Sequence, residues 1–160
     1  MDYTRSEFAA LALGVLASLT MAGCQTESIK PSSPQTLRVL TYNIHHGEGT
    51  DKQFDYQRLA SVIKGLKPDI VALQEVDHST ERASGVDQAK LLAKLCRMHY
   101  AFGQAMPHQG GQYGEAVLSQ FPIEKTFVHP LPYQLDREPR SAIEVVIAPP
   151  GIGPISFVGT

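Results

Sequence analysis

The sequence predicts an α/β fold that opens with two parallel strands, and three observations carry this. Leu37 to Ile44 is rich in β-formers and alternates weakly. Asp55 is placed to cap a helix in which Leu59, Val62, Ile63 and Leu66 recur at spacings of three and four. Ile70 to Leu73 is a continuous apolar run, the pattern of a buried parallel strand. A strand, a helix-length crossover and a second strand normally form a right-handed unit, so the two strands run side by side in the same direction.

The remaining elements follow in order. His45 to Phe54 is polar and contains glycine, which predicts a loop. Lys67-Pro68 stops the first helix, because the residue before proline is pushed out of helical geometry. Asp77 to Gly85 is a polar loop, and Asp87 to Met98 a second amphipathic helix whose Leu92, Leu95 and Cys96 share a face. Cys96 therefore reads as a buried small hydrophobe. Strands are expected at Tyr100–Met106 and Ala116–Phe121, around the glycine-rich 109–112 loop. Pro122 leads into a strand at Ile123–Leu131, Ser141–Ala148 is another, and Pro149-Pro150-Gly151 turns the chain before a last strand from Ile155. The order β-α-β-α followed by strands fits a mixed sheet with helices on one face.

Both early strands end in oxygen-bearing side chains, Asn43 on the first and Glu75 on the second. Parallel strands put those ends at one sheet edge, where open α/β sheets bind ligands. A carboxylate and an amide oxygen are hard donors that suit Mg²⁺ held by few protein groups.

Three segments together, Thr41-Tyr42-Asn43-Ile44 with Gly47, Pro68 to Asp77 (PDIVALQEVD) and Tyr113 to Ile123 (YGEAVLSQFPI), resemble the endonuclease/exonuclease/phosphatase superfamily of phosphoesterases. The resemblance runs from about Leu37 to Thr160. It implies a four-layer α/β/β/α sandwich, of which this chain is expected to supply one sheet's worth, about half the domain. On that basis the inner face of the sheet is expected to lack its partner, and the isolated chain to be poorly stable. Thr160 stands where the superfamily's Thr-His pair begins; its His, and the later Asp-x-Asn and Asp-His pairs, would follow Thr160, and with them the Asp and His that activate water and protonate the leaving group. The 160-residue chain alone is accordingly expected to be inactive, and the alternative is a catalytically inactive surface lipoprotein or binding module.

The resemblance also assigns residues. Glu75 becomes the main ligand of Mg²⁺ or Mn²⁺, with Asn43 beside it. Arg140, in Arg137-Glu138-Pro139-Arg140, becomes a phosphate holder, since a guanidinium fork matches phosphate oxygens. Tyr113 would line the substrate cleft, and His46 would donate to a substrate phosphate at the site edge. Glu115 stands where most relatives have Asn, so its role is open. Asp77 reads as a loop carboxylate, and Gln74 as a structural residue facing away from Glu75. The adjacent His45 and His46 are a weak zinc signal, because no cysteine or spaced histidine joins them.

The formal net charge is −2, and no basic bias marks a dedicated nucleic-acid surface. The expected substrate is therefore a phosphate ester of open class: nucleic acid, a phospholipid head group or a small phosphorylated molecule. Residues 1–23 read as an export signal. Ala9 to Ala22 is an uncharged apolar run too short to span a bilayer comfortably. It ends in Met21-Ala22-Gly23-Cys24, which resembles a bacterial lipobox with Cys24 as the lipidated residue. Residues 24–36, rich in Ser, Thr, Gln and Pro, suit a flexible tether. The folded part is expected at 37–160, as a monomer held by its lipid on the periplasmic or cell-surface side of a membrane.

Overall fold

Two aspartates set the starts of both helices. Asp55 accepts the Arg58 N–H at the start of α1 (Tyr56–Leu66), and Asp87 accepts the Lys90 N–H at the start of α2 (Gln88–Cys96). Each satisfies one of the orphan donors at a helix N-terminus. Both helices stop on a left-handed residue, Lys67 and Arg97 respectively. The computed structural model describes residues 36–160; the predicted export signal, the tether and Cys24 lie outside them.

Seven strands complete the described chain: β1 (Val39–Asn43), β2 (Ile70–His78), β3 (His99–His108), β4 (Gly111–Ser119), β5 (Ile123–Pro130), β6 (Ser141–Ile147) and β7 (Ile155–Gly159). The first sheet has the order β1-β2-β4-β3, with β1 and β2 parallel and the other pairs antiparallel. This is the expected mixed sheet. The helices cover one face, where Ala60, Ile63, Ala89, Leu92 and Ala93 pack against Val71, Leu73, Val76, Ala116 and Leu118. Cys96 packs against this cluster as a small hydrophobe, but it is only partly buried where full burial was expected.

The expectation of a single sheet is corrected. Strands β5, β6 and β7 form a second, antiparallel sheet. Its Ile143, Val145 and Ile147 pack on Ile70, Ala101 and Val117 of the first sheet, with Ile155 and Phe157 at the margin. The inner face is therefore covered from within the chain, and three layers (helices, sheet, sheet) are present among the described residues. The apolar exposure lies elsewhere. Phe127 and Val158, cross-strand partners of Glu144, sit on the outer face of the second sheet at 46% and 52% exposure.

Strand β2 also runs further than its apolar stretch predicts. Pairing with β4 carries it through Asp77 to His78, so Asp77 is a fully buried strand residue rather than a loop carboxylate.

Candidate active site at the β1–β2 edge

The centre of the site is an irregularity in β2. Leu73 pairs with Ala116 and Val76 with Gly114, which leaves both Gln74 and Glu75 opposite Glu115. Glu75 takes a left-handed φ of +57°. This is a β-bulge in which a glutamate holds the conformation glycine usually supplies. Its effect is directional. Leu73 and Val76 are three residues apart yet both pack in the helix-side core, where strict alternation would set them on opposite faces. The bulge absorbs the extra residue and turns Glu75 to the side of Asn43. Gln74, expected to face away from Glu75, lies on this side too, with its Oε1 accepting from Thr41 Oγ1 at 3.3 Å.

Asn43 Nδ2 donates to Glu75 Oε1 at 2.8 Å, and Asn43 Oδ1 accepts the His45 N–H at 2.8 Å. The amide oxygen expected beside a cation is thus used to hold the next turn, and the amide nitrogen orients the carboxylate. After Asn43 the chain makes a short 3₁₀ turn, His45–Gly47, in which all three residues have positive φ. Gly47 is required twice over. Its φ is +85°, and a Cβ there would come within 2.9 Å of Gln88 Nε2 and Tyr56 Cε1. The turn brings His45 and His46 to Glu75: each of the three offers one ligand atom, and these atoms lie within 4.8 Å of one another. Two imidazoles and a part-buried carboxylate at that spacing fit a divalent cation.

Tyr113 and Arg140 join the same region. Burial pushes the Tyr113 hydroxyl up to about 12, helped by the negative charges of Glu75 and Glu138 and opposed by Arg140 beside it. Arg140 Nη2 also donates to Glu138 Oε2 at 2.9 Å. Glu115 is 4% exposed, and its Oε2 has no partner. Burial pushes its carboxyl up to about 7; Arg140 opposes this and Glu75 and Glu138 add to it. A carboxyl held there exchanges its proton near neutrality, as a general acid or base must.

Of the residues picked from sequence, Asn43, Glu75 and His46 meet at one edge, and Tyr113 on β4 feels the charges of both Glu75 and Arg140. His46 reaches the edge differently than expected, since its Nε2 is engaged by Glu48 Oε2 at 3.2 Å rather than free for a phosphate. Sequence reading missed His45 as a partner of Glu75, and it missed Gln88, a buried glutamine with its Oε1 on the Asp77 N–H (2.8 Å) and its Nε2 on the His46 carbonyl (2.6 Å). The signal for Gln88 was a polar residue on the apolar face of α2, beside Ala89 and Leu92. Asp77 accepts from Thr80 Oγ1 and from Arg82 Nε and Nη2 at 2.7 to 2.8 Å, and the Arg82 guanidinium lies 5.4 Å from the Tyr113 ring centre. That ion pair roofs Tyr113 and fixes the 79–87 loop.

The chain belongs to the Endonuclease/Exonuclease/phosphatase family, whose model matches residues 40–156. Members of this family are phosphoesterase hydrolases, and they commonly bind a divalent metal. The chain is 31% identical over 97 residues to the uncharacterized protein YbhP of Escherichia coli, an alignment covering 56% of this chain and 38% of that protein. Among solved structures it resembles an endonuclease/exonuclease/phosphatase from Beutenbergia cavernae, with a TM-score of 0.61 and 28% identity over 77% of this chain and 37% of that one. It shares its fold with the mannosyl-6-phosphatase Bt3783 of Bacteroides thetaiotaomicron, with a TM-score of 0.56 and 17% identity over 77% of this chain and 49% of that one. The chain thus spans well under two thirds of the length of these relatives.

Proposed function

We propose that the whole protein hydrolyses a phosphate ester with Mg²⁺ or Mn²⁺ held at Glu75, and that it does so outside the cytoplasm, tethered through Cys24. The observation that carries this reading is the Glu75 bulge. A left-handed non-glycine residue inside a strand costs of order 1–3 kcal/mol, and such strain clusters at functional sites. Here it aims a carboxylate at the sheet edge where Asn43 holds it.

A divalent cation bound there supplies charge neutralisation at the phosphoryl oxygens and at the leaving oxygen. The chain's own residues do the rest of what this half of the site offers. Glu75 binds, and Asn43 fixes the carboxylate's angle. Arg140, beside Tyr113, binds phosphate oxygens through its fork. Glu115 holds a proton close to neutrality within the field of Glu75 and Arg140. The Bacteroides neighbour is a mannosyl-6-phosphatase, and this together with the lack of a basic bias leans the substrate toward a small phosphorylated molecule or a phospholipid head group rather than nucleic acid.

The test is hydrolysis of a nitrophenyl phosphomonoester and of its diester by the whole protein, with Mg²⁺ or Mn²⁺ and with EDTA. Metal-dependent turnover that falls to background in Glu75→Ala is the expected result. No turnover on either ester under any metal would instead favour a non-catalytic surface lipoprotein.

A further inference from the structure

The hydrogen bonds around His45 and His46 share one anchor. His45 Nδ1 lies 3.2 Å from the Glu48 carbonyl oxygen, and His46 Nε2 lies 3.2 Å from Glu48 Oε2. A carbonyl and a carboxylate oxygen only accept, so each of these ring nitrogens carries the proton. The lone pairs are then at His45 Nε2 and His46 Nδ1. Metal-ligating histidines are held in this way: the far ring N–H is donated to a backbone carbonyl or a carboxylate, which fixes the tautomer and raises the basicity of the ligating nitrogen. Glu48 does this for both rings, through its main-chain carbonyl for His45 and its carboxylate for His46.

The third member is Glu75. Asn43 occupies its Oε1, and its Oε2 has no hydrogen-bond partner among the described residues. One nitrogen of each imidazole and one Glu75 oxygen fall within 4.8 Å of one another, so small side-chain rotations bring the three residues onto a single cation. Gln88 fixes the turn from behind through the His46 carbonyl. Two nitrogens and one oxygen are not a Mg²⁺ ligand set. Imidazole suits Zn²⁺ and its late first-row neighbours, whereas Mg²⁺ takes oxygen and water.

We propose that His45, His46 and Glu75 form a nitrogen-rich site for a late first-row divalent cation of the Zn²⁺ or Co²⁺ class, with Glu48 as the positioning residue behind both imidazoles. The inference deepens the phosphoesterase reading and rests on it only for the task of the cation. It makes Glu75 common to an oxygen-bound and a nitrogen-bound position, so the metal supplied selects which donors are used.

The experiment is calorimetric titration of the chain with Zn²⁺, Co²⁺ and Mg²⁺, alongside His45→Asn, His46→Asn and Glu48→Gln. Asn is chosen because it tolerates left-handed φ. Each histidine variant is expected to lose at least tenfold in Zn²⁺ affinity while Mg²⁺ affinity stays within twofold. Glu48→Gln is expected to lose about tenfold or more, the usual effect of removing a partner behind a ligand. A direct readout guards against misfolded variants: in nitrogen-15 spectra of the unmodified chain, Zn²⁺ should shift His45 Nε2 and His46 Nδ1 and leave the bonded protons on the other ring nitrogens. Zn²⁺ affinity unchanged in both histidine variants, or no shift at those two nitrogens, overturns the site. If that happens while Glu75→Ala still abolishes Mg²⁺-dependent hydrolysis, the phosphoesterase reading survives alone. If the histidines bind Zn²⁺ but no metal supports hydrolysis, the site survives and that reading fails.

Discussion

Gln88 Nε2 reaches the main-chain carbonyl of His46, 2.6 Å away and 42 residues earlier in the chain. The same side chain accepts the Asp77 N–H, which also fixes which end of the amide is oxygen. One buried glutamine thus ties the first turn after β1, the end of β2 and the start of α2 together. Gln88→Leu keeps the volume but orphans a buried N–H and a carbonyl. We expect a loss of about 2–4 kcal/mol in denaturant unfolding, at about 1–3 kcal/mol per unmet group. Divalent-cation affinity should fall with it. A variant as stable as the parent would show that water replaces the amide.

The bulge predicts a trade between stability and function. Glu75→Gly places at φ +57° the one residue that meets no steric penalty there. In EDTA the variant should unfold no earlier than the parent, and later by up to about 1 kcal/mol, while cation binding is lost. A melting temperature several degrees lower would mean that the carboxylate itself holds the strand.

Glu115 gives a pH signature. Its carboxyl sits at about 7 in the fold, against 4.5 for an exposed glutamate. Being raised, it leaves folding unpenalised below about 4.5 and costs stability progressively as pH climbs to about 7, after which the cost is constant. Glu115→Gln removes that slope. Relative to the parent, the variant should gain up to about 3 kcal/mol between these pH values, at 1.36 kcal/mol per pKa unit. Parallel stability curves from pH 4 to 8 in EDTA would count against this.

Asp77, fully buried, pairs with the partly exposed Arg82 and has Thr80 as a third partner. Arg82→Ala leaves a fully buried carboxylate without its cation and should cost about 3–5 kcal/mol. The double change Asp77→Asn with Arg82→Ala should recover part of it. The check is a double-mutant cycle read by urea unfolding.

Much of this was legible from residues alone. Helix periodicity located Leu59, Ile63 and Leu92 on the packed faces, though Val62 and Leu66 of the same series are exposed. Asp55 is the cap it was expected to be, while Asp87, expected inside α2, caps it instead. The apolar β2 run and the polar ends at Asn43 and Glu75 placed the site edge. Three things were not legible. The bulge at Glu75 depends on pairing with β4, about forty residues away, and leaves no local trace beyond an ordinary glutamate. The split into two sheets was hidden because β4 and β6 are both largely apolar runs, and alternation does not say which neighbour a strand will take. Finally, His45 and His46 meet Glu75 only because three consecutive residues adopt left-handed φ, which glycine at 47 announces but two histidines do not.

Among the described residues, strand β1 lies at the rim of its sheet with β2 as its single neighbour. Rim strands fray first, and β1 carries Asn43 and leads directly into the histidine turn. Every tie from this rim runs inward: Ile44 N–H to the Gln74 carbonyl, Asn43 to Glu75, His46 to Gln88. A cation gripping both sides of the seam would act as a clasp on the weakest edge of the molecule. Amide protons of Tyr42 and Ile44 should then exchange fast in EDTA and slow sharply when the cation is restored, while those of β4 in the sheet centre barely change. Occupancy would be readable as local protection, without a substrate.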